Sequence, residues 1–322
     1  MPIDNSNMLK VIEDFPLQCK TALELPKGMS VSGKVEKIVV CGMGGSAVGG
    51  DLLRLYLQDS KIPVFVFRDY KVPSFVDENS LVFAVSYSGN TEETISAYED
   101  ALKKKAKIVS ITSGGTLAKL AKKVIKIPSG LQPRAALGYL FFPMLGVLVN
   151  SNIIDVKNSE ITEMLDILSK ANEFKLVGER IAKKIGQKTP IVYASELFGT
   201  VAYRWKTQFN ENSKIAAFYH TFSEMNHNEI AGYQNMKKEN FIAVFIRDEK
   251  DNERIKKRMN ITKEIISTRI DVEEVFTKGE GLLARLFSGI YYGDFVSYYL
   301  AIANKIDPTP VSVIENLKKR LR

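Results

Sequence analysis

The strongest constraint on this chain is its rhythm. Short apolar runs rich in Val and Ile alternate with longer amphipathic segments, and many of the runs end in Gly, Ser or Thr. "EKIVVCG" precedes helix-like "AVGGDLLRLYL"; "IPVFVF" and "SLVFAVS" lead to "TEETISAYEDALKKK". "KIVSIT" then precedes "GTLAKLAKK", and "VIKIP" precedes "AALGYLFFPMLGVLV". Continuous apolar strands are buried on both faces, and helices between them supply the crossovers of a parallel sheet. From about Asn150 to Lys188 the pattern is helical and charged, without strands. The alternation resumes with "PIVYAS", "FGTVAYRWKTQFNE", "KIAAFY", "NFIAVFIRD", "KDNERIKKRMNITKEIIS" and "IDVEEVFT". A long helix from Leu282 to Asn304 and a short one from Val311 to Leu321 follow. The expected fold is α/β, with two tandem doubly wound parallel-sheet domains. They span 1–150 and 189–322 and are joined by a helical segment, 151–188.

At 322 residues, 45% hydrophobic and 25% charged, the chain is long enough for two packed cores. Its net charge of +8 comes partly from short runs such as Lys103–Lys105, Lys122–Lys123 and Lys318–Arg320, which read as solvated helix faces. No zinc-finger spacing or aromatic RNA-binding signature accompanies them, so a nucleic-acid partner is not expected. Two cysteines, Cys19 and Cys41, make neither a disulfide framework nor a metal set. The opening "MPIDNSNMLKVIEDF" lacks the order of a signal peptide. "LGYLFFPMLGVLVN" is too short to span a bilayer and contains Pro143. The expectation is a soluble cytoplasmic protein with no membrane partner and no metal.

In parallel α/β sheets, ligands gather where strands end and helices begin. "CGMGGSAVGGD", Cys41 to Asp51, allows close backbone approach, offers helix-start amides to an anion and adds the Ser46 hydroxyl. Its plainer reading is a tight strand-to-helix turn capped by Ser46. Gly42, Gly44 and Ala47 also spell the dinucleotide pattern G-x-G-x-x-A. That rival needs an acid closing the second strand; Asp69 in "VFVFRDY" stands late for it and beside Arg68.

"SYSGNT" decides against the rival. It follows a strand, so Ser86, Ser88 and Thr91 can converge on one tetrahedral anion with the amides of a helix starting near Asn90. Asn90 and Glu93 have capping-box spacing, which assigns the glutamates to the helix start. The plainer reading is a serine-rich turn with a cap. A cradle of neutral donors suits a phosphate monoester held as a handle, and no P-loop motif argues for phosphoryl transfer. "TSGG", Thr112 to Gly115, repeats the theme at the next strand end.

Together "GMGGSA", "SYSGNTEET", "TSGG", "PRAALGYLF", "NENSK" and "EMNHNEIAG" resemble the archaeal-type bifunctional phosphoglucose/phosphomannose isomerases, two-domain members of the sugar isomerase (SIS) fold. The resemblance runs from about Val35 onward. It implies reversible aldose–ketose isomerisation of glucose 6-phosphate, and of mannose 6-phosphate, with fructose 6-phosphate. It further implies a homodimer with active sites at the subunit interface and no cofactor. By motif position, Gly45, Ser46, Ser86, Ser88 and Thr91 would hold phosphate and Arg134 would lie near the reacting carbons. Glu211 would be the base, His227 the ring-opening residue, and Lys318 a further catalytic contact.

The chemistry suits those residue types. Ring opening moves a proton between ring oxygen and anomeric hydroxyl, within reach of a histidine. A glutamate can take a proton beside a carbonyl and return it one carbon away. An enediolate needs a positive partner such as Arg134. Each also has a plain alternative: a turn glutamate, a polar-turn histidine, a helix-end arginine, a surface lysine. His220 reads as a strand-end residue, and Trp205 and "YYGDFVSYY" as core or dimer surface. The resemblance implies a threonine near the C-terminal lysine for mannose-phosphate activity, where this chain has Val311, with Thr309 and Ser312 nearby. Two other functions remain in view, a non-catalytic SIS-type sugar-phosphate sensor and a nucleotide-dependent oxidoreductase.

Overall fold

The computed structural model describes residues 3–321. Met1 and Pro2, which begin the signal-peptide window, and Arg322, the last residue of the expected C-terminal domain, lie outside the described residues. The elements run α1 (Met8–Glu13), α2 (Phe15–Glu24), β1 (Lys37–Cys41), α3 (Gly44–Tyr56), β2 (Val64–Phe67), β3 (Ser80–Val85), α4 (Glu92–Lys103), β4 (Lys107–Thr112), α5 (Gly115–Leu120), β5 (Val124–Lys126), α6 (Leu137–Asn150) and α7 (Asn158–Leu168). They continue with α8 (Ala171–Ile185), β6 (Thr189–Ser195), α9 (Gly199–Gln208), β7 (Phe218–Phe222), β8 (Phe241–Arg247), α10 (Glu253–Ile266), β9 (Asp271–Phe276), α11 (Leu282–Ala303) and α12 (Ser312–Arg320).

The chain divides into two compact units. One is Asp14–Ile161; the other combines the residues up to Glu13 with those from Thr162 onward. The division falls within α7, inside the stretch 151–188, and α1 joins the later unit. Packing explains this: α8 and α1 both lie against α11. Gly178 of α8 is pressed so close to α11 that a Cβ there would sit 2.7 Å from Phe295 Cβ.

In the first unit the five strands are parallel, in the order β2-β1-β3-β4-β5. β3 is buried at every position, as a central parallel strand requires. Val39, Cys41 and Val82 meet Ala97 and Ala101 of α4 on one face. On α6, the first turn is held by Gln18 of α2, whose Oε1 accepts from Gly138 N at 2.7 Å and whose Nε2 donates to Ala135 O at 2.9 Å. Because the crossovers from β1 and β3 leave in opposite directions, a crevice opens between the ends of these two strands.

The second unit has four parallel strands, in the order β7-β6-β8-β9. A core of Ile191, Tyr193, Phe245, Met225, Tyr233, Met259 and Ile266 lies on one face. A buried ion pair joins α9 to α11, with Arg204 Nη2 donating to Asp294 Oδ1 at 2.9 Å and to Oδ2 at 3.0 Å. Gln208 Nε2 donates to the same carboxylate at 2.7 Å. Two local readings shift here. The helix expected through Glu211 stops at Gln208 and passes into a π-turn, Phe209–Ser213. The strand expected over "KIAAFY" forms later, at Phe218–Phe222. Closing the turn consumes the intervening residues: Lys214 adopts φ 55° and Ile215 N bonds back to Phe209 O.

Candidate active site

The loops after β1 and β3 flank the crevice of the first sheet, and their hydroxyls interlock. Tyr87 N donates to Ser46 Oγ at 3.2 Å, joining the two loops. Ser86 Oγ lies 2.8 Å from Thr91 Oγ1 and also accepts from Gly89 N at 3.1 Å. Ser88 Oγ, on the exposed rim, accepts from Asn90 N at 3.2 Å. Ser46 and Ser86 are almost fully buried, while Thr91 is half-buried. A ring of small hydroxyls at two helix starts can hold an anion without a formal positive charge.

Asn90 does not cap α4. That helix starts at Glu92 after Thr91, and the Asn90 Oδ1 reaches instead to α5, accepting from Thr116 N at 2.9 Å and Thr116 Oγ1 at 3.0 Å. "TSGG" likewise buttresses its neighbour: Ser113 Oγ donates to Tyr87 O at 2.7 Å, and Thr112 Oγ1 donates to Gly114 O at 2.9 Å. The two loops press backbone to backbone. Gly89 has φ +69°, and a Cβ there would lie 1.8 Å from Gly114 O. Gly115, at φ +69°, would meet Ser88 O at 2.4 Å. Only glycine fits either position.

Arg134 lies in a 3-10 turn, Pro133–Ala135, that leads into α6, and it is 3% exposed. Gly45 backs directly onto this turn; a Cβ there would sit 2.9 Å from Pro133 O and 3.1 Å from Arg134 Cα. The first unit therefore brings Gly45, Ser46, Ser86, Ser88, Thr91 and Arg134 to one end of its sheet. Sequence reasoning passed over Tyr87. Its hydroxyl donates to Pro128 O at 3.0 Å and accepts from Leu131 N at 2.8 Å, so it fixes the approach to Arg134. A lone aromatic between two serines at a strand end was the available signal.

Glu211, His227 and Lys318 lie on three separate segments of the second unit. Glu211 is half-buried in the π-turn, with anchored neighbours. Asn212 Nδ2 donates to Ser297 Oγ at 3.0 Å, and Ser213 Oγ donates to Ser297 O at 2.7 Å. Lys214 Nζ donates to Glu211 O at 2.7 Å, Asp307 O at 3.1 Å and Pro308 O at 2.9 Å, tying this turn to the chain ahead of α12. His227 ends a 3-10 turn, Glu224–His227, and is exposed. Lys318 is exposed on α12, a helix with no buried residue. Val311 immediately precedes α12. His220 falls in the middle of β7, not at its end, and its Nδ1 accepts from Thr221 N at 2.7 Å.

The dinucleotide rival loses its acid. Arg68 pairs with Asp51 of α3, and Asp69 turns back to accept from its neighbour Tyr70 N at 2.6 Å. Burial, opposed by Arg68, lifts the Asp51 carboxyl above its ordinary value. Burial likewise pushes the Cys41 thiol up to about 12, which keeps it a protonated, unreactive core residue. Among the described residues no group of three or more His, Cys, Asp or Glu side chains could hold a metal ion. None of the described helices is long and apolar enough to cross a membrane.

Two family models divide the chain between them, the SIS domain over residues 33–144 and the bacterial phospho-glucose isomerase C-terminal SIS domain over 174–321. Two parallel sheets, with hydroxyl-lined loops at the switch point of the first, thus define a double-SIS protein. Among solved structures, the C-terminal domain of glucosamine-fructose-6-phosphate aminotransferase from Francisella tularensis has the same fold, with a TM-score of 0.70 at 17% identity over 95% of this chain and 98% of that one. A bifunctional phosphoglucose/phosphomannose isomerase of Caldicellulosiruptor bescii is 45% identical over 98% of both chains, and one from Thermoplasma acidophilum is 44% identical over 90% of this chain and 91% of its own. A D-glucosamine-6-phosphate 4-epimerase of Sulfolobus acidocaldarius is 32% identical over 88% of this chain and 89% of its own. The chain belongs to the bifunctional phosphoglucose/phosphomannose isomerase family.

Proposed function

We propose that this protein performs the reaction for which its family is named, the reversible conversion of glucose 6-phosphate and mannose 6-phosphate to fructose 6-phosphate. The observation that carries the reading is the linked set Ser46, Ser86 and Thr91, neutral donors at helix starts suited to a phosphate dianion that is gripped and never transferred. Ser88 and the Gly45 amide complete the grip.

With phosphate fixed, the sugar's first two carbons are the reacting end. His227 moves a proton from the anomeric hydroxyl to the ring oxygen, which breaks the C1–O5 bond and frees the aldehyde. Glu211 takes the proton from C2 and returns it to C1, while the hydroxyl proton passes from O2 to O1, so the ketose has the atoms of the aldose. Arg134 stabilises the intervening enediolate, and Lys318 adds a further positive contact. The π-turn supports the role of Glu211, since it fixes that residue's carbonyl and the two residues that follow it.

A homodimer fits the exposed Phe218 and Tyr219 on edge strand β7, 56% and 41% accessible in the single chain. A cytoplasmic site of action fits a charged sugar phosphate, which does not cross membranes unaided. Incubating purified protein with fructose 6-phosphate, without added metal or nucleotide, tests the reading: glucose 6-phosphate appears. A folded preparation that binds fructose 6-phosphate and forms neither aldose would leave a sensor. Comparing glucose and mannose 6-phosphate in one assay tests the residue at Val311, and light scattering tests the dimer.

A further inference from the structure

His227 is carried by a segment of little regular structure, two 3-10 turns spanning Glu224–His227 and Glu229–Asn235. A histidine that must shuttle a proton to a ring oxygen needs a fixed ring position, because misplacement by about 1 Å can cost on the order of a hundredfold in rate. What fixes this segment lies beneath it. Tyr193, at the centre of β6 and 0% exposed, donates its hydroxyl proton to Glu229 Oε1. Tyr193 has one proton and gives it to the carboxylate, so the contact between its oxygen and Tyr233 OH is donated by Tyr233. A one-way chain results, from Tyr233 to Tyr193 to Glu229.

The rest of the segment is tied in the same manner. Asn228 Oδ1 accepts from Glu229 N at 2.5 Å, Asn228 Nδ2 donates to Glu224 Oε1 at 2.6 Å, and Asn226 Nδ2 donates to Thr262 Oγ1 of α10 at 2.8 Å. The Tyr193 ring is wedged between Phe222 and Phe245, at centroid distances of 5.9 and 5.7 Å. Burial raises both phenols, Tyr193 and Tyr233, so both remain proton donors. The segment meets Tyr193 through both Glu229 and Tyr233, and its Met225 packs into the same core.

The geometry points to Tyr193 and Glu229 as positioning residues for the ring-opening step, a rigid post from the sheet core that holds His227 two residues upstream. The inference rests on the ring-opening role given to His227 under the proposed function. Neither residue touches substrate; both act through His227.

The test uses the full chain. Tyr193→Phe removes one hydroxyl and keeps the ring in its aromatic pocket, so circular dichroism and thermal unfolding should report a folded protein. Turnover of glucose 6-phosphate falls about tenfold with KM changed less than about twofold. The deuterium isotope effect from label at C2 falls towards unity, because ring opening then limits the rate in place of C2 proton transfer. A general loosening of the fold would not produce that change. Glu229→Ala reproduces both effects, and Glu229→Gln, whose amide oxygen still accepts from Tyr193, retains most of the activity. On a His227→Ala background, Tyr193→Phe costs nothing more.

The positioning role is overturned if Tyr193→Phe leaves turnover and isotope effect unchanged while His227→Ala impairs both, or if the two losses simply multiply. If His227→Ala is itself harmless while Glu211→Gln is inactive, the ring-opening role falls and the positioning role falls with it. If neither is impaired, the catalytic reading as a whole is wrong.

Discussion

Ser86 Oγ and Thr91 Oγ1 stand 2.8 Å apart across the turn after β3, one hydroxyl almost fully buried and the other at the mouth. The two satisfy each other, so neither is an unpaired buried group. In the proposed function each hydroxyl donates to phosphate, and such charge-assisted bonds are roughly twice as strong as neutral ones. Ser86→Ala combined with Thr91→Ala therefore raises KM for fructose 6-phosphate by about ten- to a hundredfold and leaves kcat within a few-fold. Initial-rate kinetics with an intact far-ultraviolet spectrum check it. An unchanged KM would place the phosphate elsewhere.

Glu211→Gln separates binding from chemistry. The amide keeps the size of the carboxylate and loses its charge and its capacity to take a proton. Turnover should fall by about a hundred- to ten-thousandfold while the sugar phosphate still binds. Single-turnover rates together with titration calorimetry measure the two quantities. Near-normal turnover would remove Glu211 from the proton transfer.

Gly89→Ala attacks the cradle through its backbone. The added methyl meets Gly114 O at 1.8 Å and the residue must hold φ +69°. The strained dihedral alone costs about 1–3 kcal/mol, and relief of the clash requires the loops to part. Thermal unfolding should fall and KM should rise together. Gly114→Ala, where a Cβ meets nothing within 4 Å, is the control and should be mild.

Asp51 sets a pH signature. Burial raises its folded-state value above the ordinary 3.8, so the folded chain holds that proton more tightly than the unfolded one. Its contribution to stability is fully present below the unfolded value and is lost as pH rises through the folded one. Measured against Asp51→Asn, the wild type should thus lose relative stability as pH rises above about 4. Urea unfolding of both proteins at several pH values reads this directly, and a wild type that gains stability relative to Asp51→Asn as pH rises would refute it.

The parallel sheets and the loops that flank the first crevice were legible because period and composition agree there: "KIVVC" and "SLVFAV" are apolar at nearly every position, and glycines and serines follow. The end of α9 was not. "QFNENSK" has helical composition, and what stops the helix is tertiary, the anchoring of Asn212 and Ser213 on Ser297 some eighty residues later in sequence. Asn90 had the spacing of a cap yet serves α5, where Thr116 offers its Oδ1 both an amide and a hydroxyl donor. Tyr193 was unreadable as anything but core, since its use depends on Glu229, which reaches it from another part of the fold.

The fitting of Gly89 against Gly114, and of Gly115 against Ser88, means that the hydroxyls proposed to grip phosphate are seated on main chain that has no room to shift. Such a mould admits little variation, and the group proposed for it, a terminal phosphate, is common to many metabolites. Divergence toward a new sugar must then be written at the far end of the molecule being held, in residues such as the one at 311, while the handle stays the same.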